Sequence, residues 1–379
     1  MRFKLHGVMA RKKKSSWSFT PLDFLLLAVP VAVALRYVAA WRNETLLFIV
    51  AGIAIVPLAG WMGRATEQLA ARSGAGVGGL LNATFGNAAE LIIALVALRK
   101  GLTGVVKASI TGSIIGNLLL VLGASILVGG LRFPKQTFNQ TAARVSATSL
   151  GLAGIALLIP TIFHAAAAGR SAGWTEEIED RLSVAIVIVL FITYFLSLFF
   201  HLVTHREIFE GLAQAGSGDE ALWPLWQSIT ALAIATAVVA VLSEFLVGSI
   251  EAARHALGLT ELFVGVVVIA LVGNAAEHST AVWSAWKNKM DLSLGIATGS
   301  SLQMALFVTP VLVLASYAFG DSMNLEFSLP EIAAILFSIW IVGKISGDGE
   351  SNWFEGVQLL SLYVIISLLF YFLPPAISP

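Results

Sequence analysis

Along this chain, apolar residues run in blocks of about 20 divided by short polar stretches, the length an α-helix needs to cross a bilayer at about 1.5 Å per residue. The pattern predicts eleven membrane-spanning helices, over 21–40, 45–68, 78–98, 103–129, 140–163, 179–203, 226–251, 260–285, 292–317, 328–345 and 354–374. The stretch from Leu22 to Ala40 is too long for the core of a secretory signal and no clear cleavage signature follows it, so it reads as a retained span. Basic residues Arg2, Lys4, Arg11, Lys12, Lys13 and Lys14 precede it and predict a cytoplasmic N-terminus. The loops carrying Arg72, Arg132 with Lys135, Arg206, Lys287 with Lys289, and Lys344 then fall on the same side, whereas Arg99 and Lys100 fall on the other. The C-terminus is expected outside.

The longest polar connector runs from His205 to Glu220, with Glu207, Glu210, Asp219 and Glu220 around Gly216, Ser217 and Gly218. It reads as a short acidic helix or linker, either a solvated hinge or a cation-attracting, regulatory segment. The chain thus divides into a basic N-terminus with the first span (1–43), a five-helix unit (44–204), the linker (205–222) and a second five-helix unit (223–379).

Composition agrees. With 57% hydrophobic and 12% charged residues the chain is far from the roughly 25% charged of soluble domains, and its natural partner is the lipid bilayer. Equal numbers of acidic and basic residues, 23 each, give no electrostatic case for nucleic acid. The lack of Cys excludes disulfides, thiolate metal sites and Cys nucleophiles.

Self-comparison is the most informative step. Gly86-Asn87-Ala88-Ala89-Glu90 recurs as Gly273-Asn274-Ala275-Ala276-Glu277, and at the same offset Thr111-Gly112-Ser113 matches Thr298-Gly299-Ser300. Five spans separate equivalent positions, so the two copies enter the membrane from opposite sides. That is an inverted repeat, the architecture of many secondary transporters, whose sites lie near the midplane on interrupted helices. Gly86 and Gly273 sit where an interruption would fall, freeing carbonyls toward a cation, and Asn87 and Asn274 would cap the helix that follows; the alternative is that these Gly and Asn residues serve helix packing alone.

Glu90 and Glu277 stand in apolar surroundings, where an ionised carboxylate is usually kept for a partner, a proton or an ion. If the repeat brings them face to face, they offer a charge of minus two. Calcium takes six to eight oxygens in flexible geometry, and Glu, Asn and Ser side chains, carbonyls and water supply them. Ser113 and Ser300 lie on the neighbouring span of each copy; Gln303 shares a face with Ser300, and Asn117 stands four residues beyond Ser113. An all-oxygen set with a single nearby His disfavours a zinc or copper site. Without the cation, two close carboxylates in low dielectric favour binding protons, so ion and proton compete for the same oxygens. Competition at a site open alternately to either side is antiport, with Ca2+ as transported substrate and no cofactor.

His278, beside Glu277, is either a proton relay or a packing hydrogen-bond donor, because an adjacent helical residue points about 100° away. Glu67, Glu244 and Glu251 lie on or near the spans that precede the two motif spans. They form either a cation access path or gate, or interfacial helix ends touching water.

At these residues the chain resembles the calcium/proton exchangers, the CAX family of the cation/calcium exchanger superfamily. The resemblance rests on Gly86 to Ile92, on Gly112-Ser113 with Asn117 to Gly123, on Gly273 to His278, on Lys287 to Asp291 and on Gly299 to Met304. Pro57 to Ala59, Ala65 to Glu67 and Ser243 to Gly248 also fit. It implies a peripheral first span followed by two inverted five-helix halves joined by an acidic helix. It also implies Glu90 and Glu277 as shared calcium and proton ligands, with Asn87, Asn274, Ser300 and Gln303 in or near the site, and a proton-linked role at the position of His278. Ala89 and Ala276 stand where the sodium/calcium branch typically has Pro, which favours the proton branch. The central acidic stretch is short, the N-terminus lacks the extension of some plant members, and Gly116 stands where the second copy has Gln303.

The expected activity is therefore Ca2+/H+ antiport that removes calcium from the cytoplasm. A sodium-driven exchanger or an antiporter of Mn2+, Na+ or K+ is the alternative. An intramembrane hydrolase is disfavoured, since no helical pair of zinc-binding His flanks a Glu and no paired intramembrane Asp stands out. The basic start without an organellar presequence points to a prokaryotic plasma membrane, with a vacuolar or other organellar membrane as alternative; homo-oligomerisation stays open.

Overall fold

A computed structural model describes residues 20–167, 175–208, 223–320 and 322–374. The basic cluster before residue 20 and most of the acidic connector, 209–222, lie outside the described residues. The rest is almost entirely helical. The main helices are α1 (Ala28–Tyr37), α2 (Glu44–Phe85), α3 (Ala88–Arg99), α4 (Thr103–Ile115), α5 (Leu122–Arg132), α6 (Gln140–Ala167) and α7 (Glu176–Phe199). They continue with α8 (Leu225–Gly248), α9 (Ile250–Leu257), α10 (Ala270–Trp286), α11 (Met290–Gln303), α12 (Thr309–Phe319), α13 (Leu329–Ile345) and α14 (Trp353–Phe372).

Among the described residues, eight helical stretches are long and apolar enough to cross a membrane: Glu44–Ser73, Thr103–Arg132, Gln140–Ala167, Glu176–Thr204, Leu225–Gly248, Glu261–Trp286, Met290–Phe319 and Trp353–Phe372. They coincide with eight of the eleven expected spans. The other three are helical but short or broken. The first is a 3-10 turn over Pro21–Leu27 followed by α1, the stretch 78–98 is interrupted at Gly86-Asn87, and α13 has 17 residues. The expected loop around Arg72 is itself helical, because α2 runs without interruption from Glu44 to Phe85. The helix is nevertheless sharply bent there: Gly78 packs against the carbonyl of Ala70, which would be about 12 Å away along a straight helix.

Polar residues start and stop these helices where the backbone needs partners. Asn43 accepts from the Leu46 amide at 2.9 Å to open α2, Ser328 and Glu331 form a reciprocal capping box on α13, and Asn352 and Glu355 do the same on α14. Burial then sorts inner from outer helices. In the most apolar window of Thr103–Arg132, 72% of residues are buried, against 22% in Glu176–Thr204. The exposed side chains of the latter, such as Ile188, Val189, Ile192 and Phe195, form the lipid-facing surface of an integral membrane protein.

A two-stranded clasp closes one end. Gln136–Thr137 (β1) pairs antiparallel with Glu350–Ser351 (β2). Gln136 donates to the Ala285 carbonyl at 2.9 Å, the Asn139 amide to Asp291 at 2.6 Å, the Asn139 side chain to the Ile208 carbonyl at 3.1 Å and Arg132 to the Trp286 carbonyl at 3.2 Å. The loops after α5, α10 and α13 and the end of α7 therefore share this end, as the distribution of basic residues predicts. At the opposite end, Ser249 donates to Glu44 at 2.9 Å, while Arg99 and Lys100 pair with Glu244.

Candidate ion-binding site

Three π-helical turns surround the centre of the bundle, at Gly116–Val121, Val264–Ile269 and Met304–Val308. Each lies within or beside a motif-bearing helix. A π turn inserts a residue and re-aims the side chains that follow, and such turns gather at functional sites.

In the first copy the expected interruption is present, because α2 stops at Phe85 and α3 starts at Ala88. In the second copy it is not: α10 continues through Gly273, and the irregularity moves to the π turn over Val264–Ile269. The glycines instead serve close approach. A Cβ on Gly273 would lie 2.7 Å from Glu90 Cγ; one on Gly86 would lie 3.4 Å from Gln303 Oε1 and 3.7 Å from Glu277 Oε1. Gly273 thus makes room for the Glu90 side chain, while Gly86 lies beside Gln303 and Glu277 at ordinary contact distance.

The asparagines also depart from the expected role. Asn87 makes no side-chain capping bond, and Asn274 lies inside a continuous helix. Both build a buried polar chain between the copies. Ser300 donates to Asn87 Oδ1 at 3.0 Å, Asn87 Nδ2 donates to Gln303, and Asn274 Nδ2 donates to Ser113 at 3.0 Å. Asn117 links the two, donating to Ser300 at 2.9 Å and to Asn274 Oδ1 at 3.4 Å. Ser300 also reaches Glu277. Against this satisfied network, both oxygens of Glu90 and Oε2 of Glu277 are buried without a hydrogen-bond partner among the described residues. Buried carboxylate oxygens left open in a polar cage are suited to a cation or a proton.

A cavity of about 360 Å³ leads to one side of this cage. Gly86, Glu277, Ser300 and Gln303 line its inner part, and Glu67, Thr280 and Ile296 line the part toward the clasp. Ser113, Asn117 and Glu90 are not among its lining residues.

The remaining candidates are scattered. Glu67 lies on the cavity wall. Glu244 is held by Arg99 and Lys100, which accounts for the two basic residues that break the charge rule. Glu251 pairs with Arg254 and His255, and the Arg254 guanidinium keeps its carboxyl below the usual carboxylate range. Neither Glu244 nor Glu251 reaches the cavity. His278 lies in a separate, mostly apolar groove with Val128, Leu271 and Trp283, and its Nε2 is buried without a hydrogen-bond partner among the described residues.

Sequence reasoning missed the cavity mouth. Asp23 is buried there, accepting from Trp61 Nε1 at 2.8 Å and pairing with Arg64 at 3.0 Å, and both Asp23 and Arg64 line the cavity. An acid two residues after Pro21, at the head of an apolar stretch, was the available signal.

Comparisons with known proteins identify the family. The family model described as "Sodium/calcium exchanger protein" matches residues 43–203 and 227–372. A Ca(2+)/H(+) antiporter of Synechocystis is 47% identical, covering 92% of this chain and 98% of its own length. The Ca(2+)/H(+) antiporter ChaA of Bacillus subtilis is 45% identical, covering 92% and 99%. The solved structure of native YfkE superposes with a TM-score of 0.79 at 43% identity, over 93% of this chain and all of that one (100%). The chain belongs to the sodium/calcium exchanger protein family, in the calcium/proton exchanger branch that its motifs resemble.

Proposed function

We propose that this protein is a secondary antiporter that exchanges cytosolic Ca2+ for H+ by alternating access, with Glu90 and Glu277 binding either ion in competition. The observation that carries the reading is the reciprocal seating of the two motif carboxylates, three of whose four oxygens are buried and unpartnered among the described residues. Calcium recruits both carboxylates together with Asn87, Asn274, Ser113, Ser300 and Gln303; when calcium leaves, protons neutralise the oxygens that would otherwise repel. The relatives named as Ca2+/H+ antiporters support the same chemistry.

The recurrence of the motif after five spans supports two inverted five-helix halves, 44–204 and 223–379, behind a peripheral first span, eleven spans in all. The clasp end, which gathers Arg132, Lys135, Lys287, Lys289 and Lys344, is then cytoplasmic, in a prokaryotic plasma membrane. The cavity extends toward that end, so the arrangement corresponds to an inward-facing state. His278, in its own groove, is left outside the proton path.

Proteoliposomes containing a pH dye test this. Added Ca2+ should drive proton movement in the wild type, and Glu90→Gln and Glu277→Gln should each reduce it at least about tenfold. Intact exchange in Glu277→Gln, or calcium flux that follows a sodium gradient and ignores a pH gradient, would overturn the assignment.

A further inference from the structure

The groove that holds His278 opens on the lipid-facing side of the bundle. Leu271, Ala275, His278, Val282 and Trp286 recur every three or four residues along α10 and form one stripe, with Val128 of α5 as the other wall. The groove encloses about 650 Å³, and no Asp, Glu, Lys or Arg is among the described residues that line it. From Leu271 to Trp286 the stripe runs about 22 Å at about 1.5 Å per residue, against about 15 Å for half the apolar thickness of a bilayer. It therefore spans the depth of one lipid leaflet. Leu271 is 45% exposed and Trp283 on the same wall is 57% exposed, so the stripe is open to the bilayer.

One end of this apolar groove carries charge. Helices α5 and α10 both end at the clasp and touch there, since a Cβ on Gly129 would lie 3.0 Å from the Ala285 carbonyl. Arg132 closes α5; its Cζ lies 4.7 Å from the centre of the Trp286 ring, and it donates to the Trp286 carbonyl at 3.2 Å. Lys287 directly follows α10, with its Nζ 4.9 Å from the centre of the Trp283 ring. Both tryptophans line the groove, so each cation is seated on its rim.

The protein does not neutralise these two cations. Neither is paired with a carboxylate among the described residues. Of the acids at this end, Glu350 is taken by Lys135 at 2.5 Å and Asp291 accepts from the Asn139 amide at 2.6 Å. Part of the charge answers the C-termini of α5 and α10, each worth roughly half a negative charge. About one positive charge is left over, on an aromatic rim at the level where a membrane has its headgroups.

We propose that this groove binds an anionic phospholipid, with an acyl chain along the α10 stripe and the phosphate held by Arg132 and Lys287. An acyl chain alone would lie on any lipid-facing stripe; the paired cations at one end select the headgroup. A second copy of the chain is a poorer occupant, because it would bury two cations that have no carboxylate partner. Ser279 lines both this groove and the central cavity, so the lipid lies one side chain from that cavity. The inference does not depend on the function proposed for Glu90 and Glu277.

The test is native mass spectrometry of the full chain in detergent, titrated with phosphatidylglycerol or with phosphatidylcholine of identical chains. One phosphatidylglycerol should bind at least about fivefold more tightly than phosphatidylcholine, and the double variant Arg132→Gln/Lys287→Gln should abolish the preference. Both side chains are exposed, so that variant leaves the packing intact. Ala275→Phe, which fills the middle of the groove, should weaken phosphatidylglycerol binding to a similar extent. Glycerol 3-phosphate, which has the charge without the chains, should not displace the lipid. Equal binding of the two lipids, a preference that survives the double variant, or displacement by glycerol 3-phosphate would overturn the proposal. So would an oligomer that Ala275→Phe breaks up, since the groove would then be an interface between copies.

Discussion

The two copies of the motif share a sequence but not a setting. In the second copy, Glu277 and Ser300 line a cavity that runs toward the clasp; in the first, Glu90 and Ser113 are enclosed by protein. Identical residues with opposite access are what an alternating site requires at one moment of its cycle. Under the alternating access proposed above, the difference reports conformational state rather than divergence of role. Equivalent positions should exchange their accessibility when the protein turns outward.

The sharpest way to break that comparison is chemical labelling, which the lack of native Cys makes clean. Thr280 lines the cavity three residues after Glu277, whereas Ile93, three after Glu90, is 1% exposed. In the state described here, Thr280→Cys should react with a membrane-impermeant thiol reagent from the clasp side about a hundredfold faster than Ile93→Cys. Equal rates would mean that the asymmetry does not describe the protein in a membrane.

The next largest effect comes from the paired glycines after each motif. Gly112 packs directly against the Val266 carbonyl, where the π turn crosses α4, while nothing lies within 4 Å of a Cβ on Gly299. Gly112→Ala should cost about 1 to 3 kcal/mol, read as a lowered unfolding temperature, and Gly299→Ala should be tolerated. Similar losses in both would show that the copies pack alike.

Much of this was legible in the sequence, and the limits have physical causes. Apolar block length located the spans, since lipid leaves the backbone no partner but its own helix. The repeated Gly-Asn-Ala-Ala-Glu located the central residues because both copies pack against each other at the centre of the bundle. What neither pattern encodes is how helices meet. The glycines read as hinges, but Gly273 is a contact surface for Glu90 inside an unbroken helix. The asparagines read as caps, but they bridge copies through Asn117, a partnership between residues far apart in the chain. Glu244 read as a gate or as a wetted helix end, with no sign in the sequence that Arg99 and Lys100 reach it from the end of α3.

The smallest expected effect concerns the charges outside the two motifs. Arg64 and Glu67 on the cavity wall and Glu251 and Arg254 on α9 occupy equivalent places with opposite order of sign. The first pair meets the cavity; the second is a self-contained ion pair, with Arg254 donating to both Glu251 oxygens at 2.5 and 3.1 Å. The Glu251 side chain is 65% exposed, so solvent screens the pair and its contribution is at most about 1 kcal/mol. Its carboxyl is held below the usual carboxylate range, so any stability it lends is present near neutral pH and lost only as pH falls into the acid range. Glu251→Gln should therefore leave Ca2+-driven proton movement within about twofold of wild type and leave its pH profile between about 6 and 8 unmoved. A larger loss, or a shifted profile, would show that the α9 pair guards the opposite mouth as Glu67 flanks this one, and the contrast between the copies would then be one of timing alone.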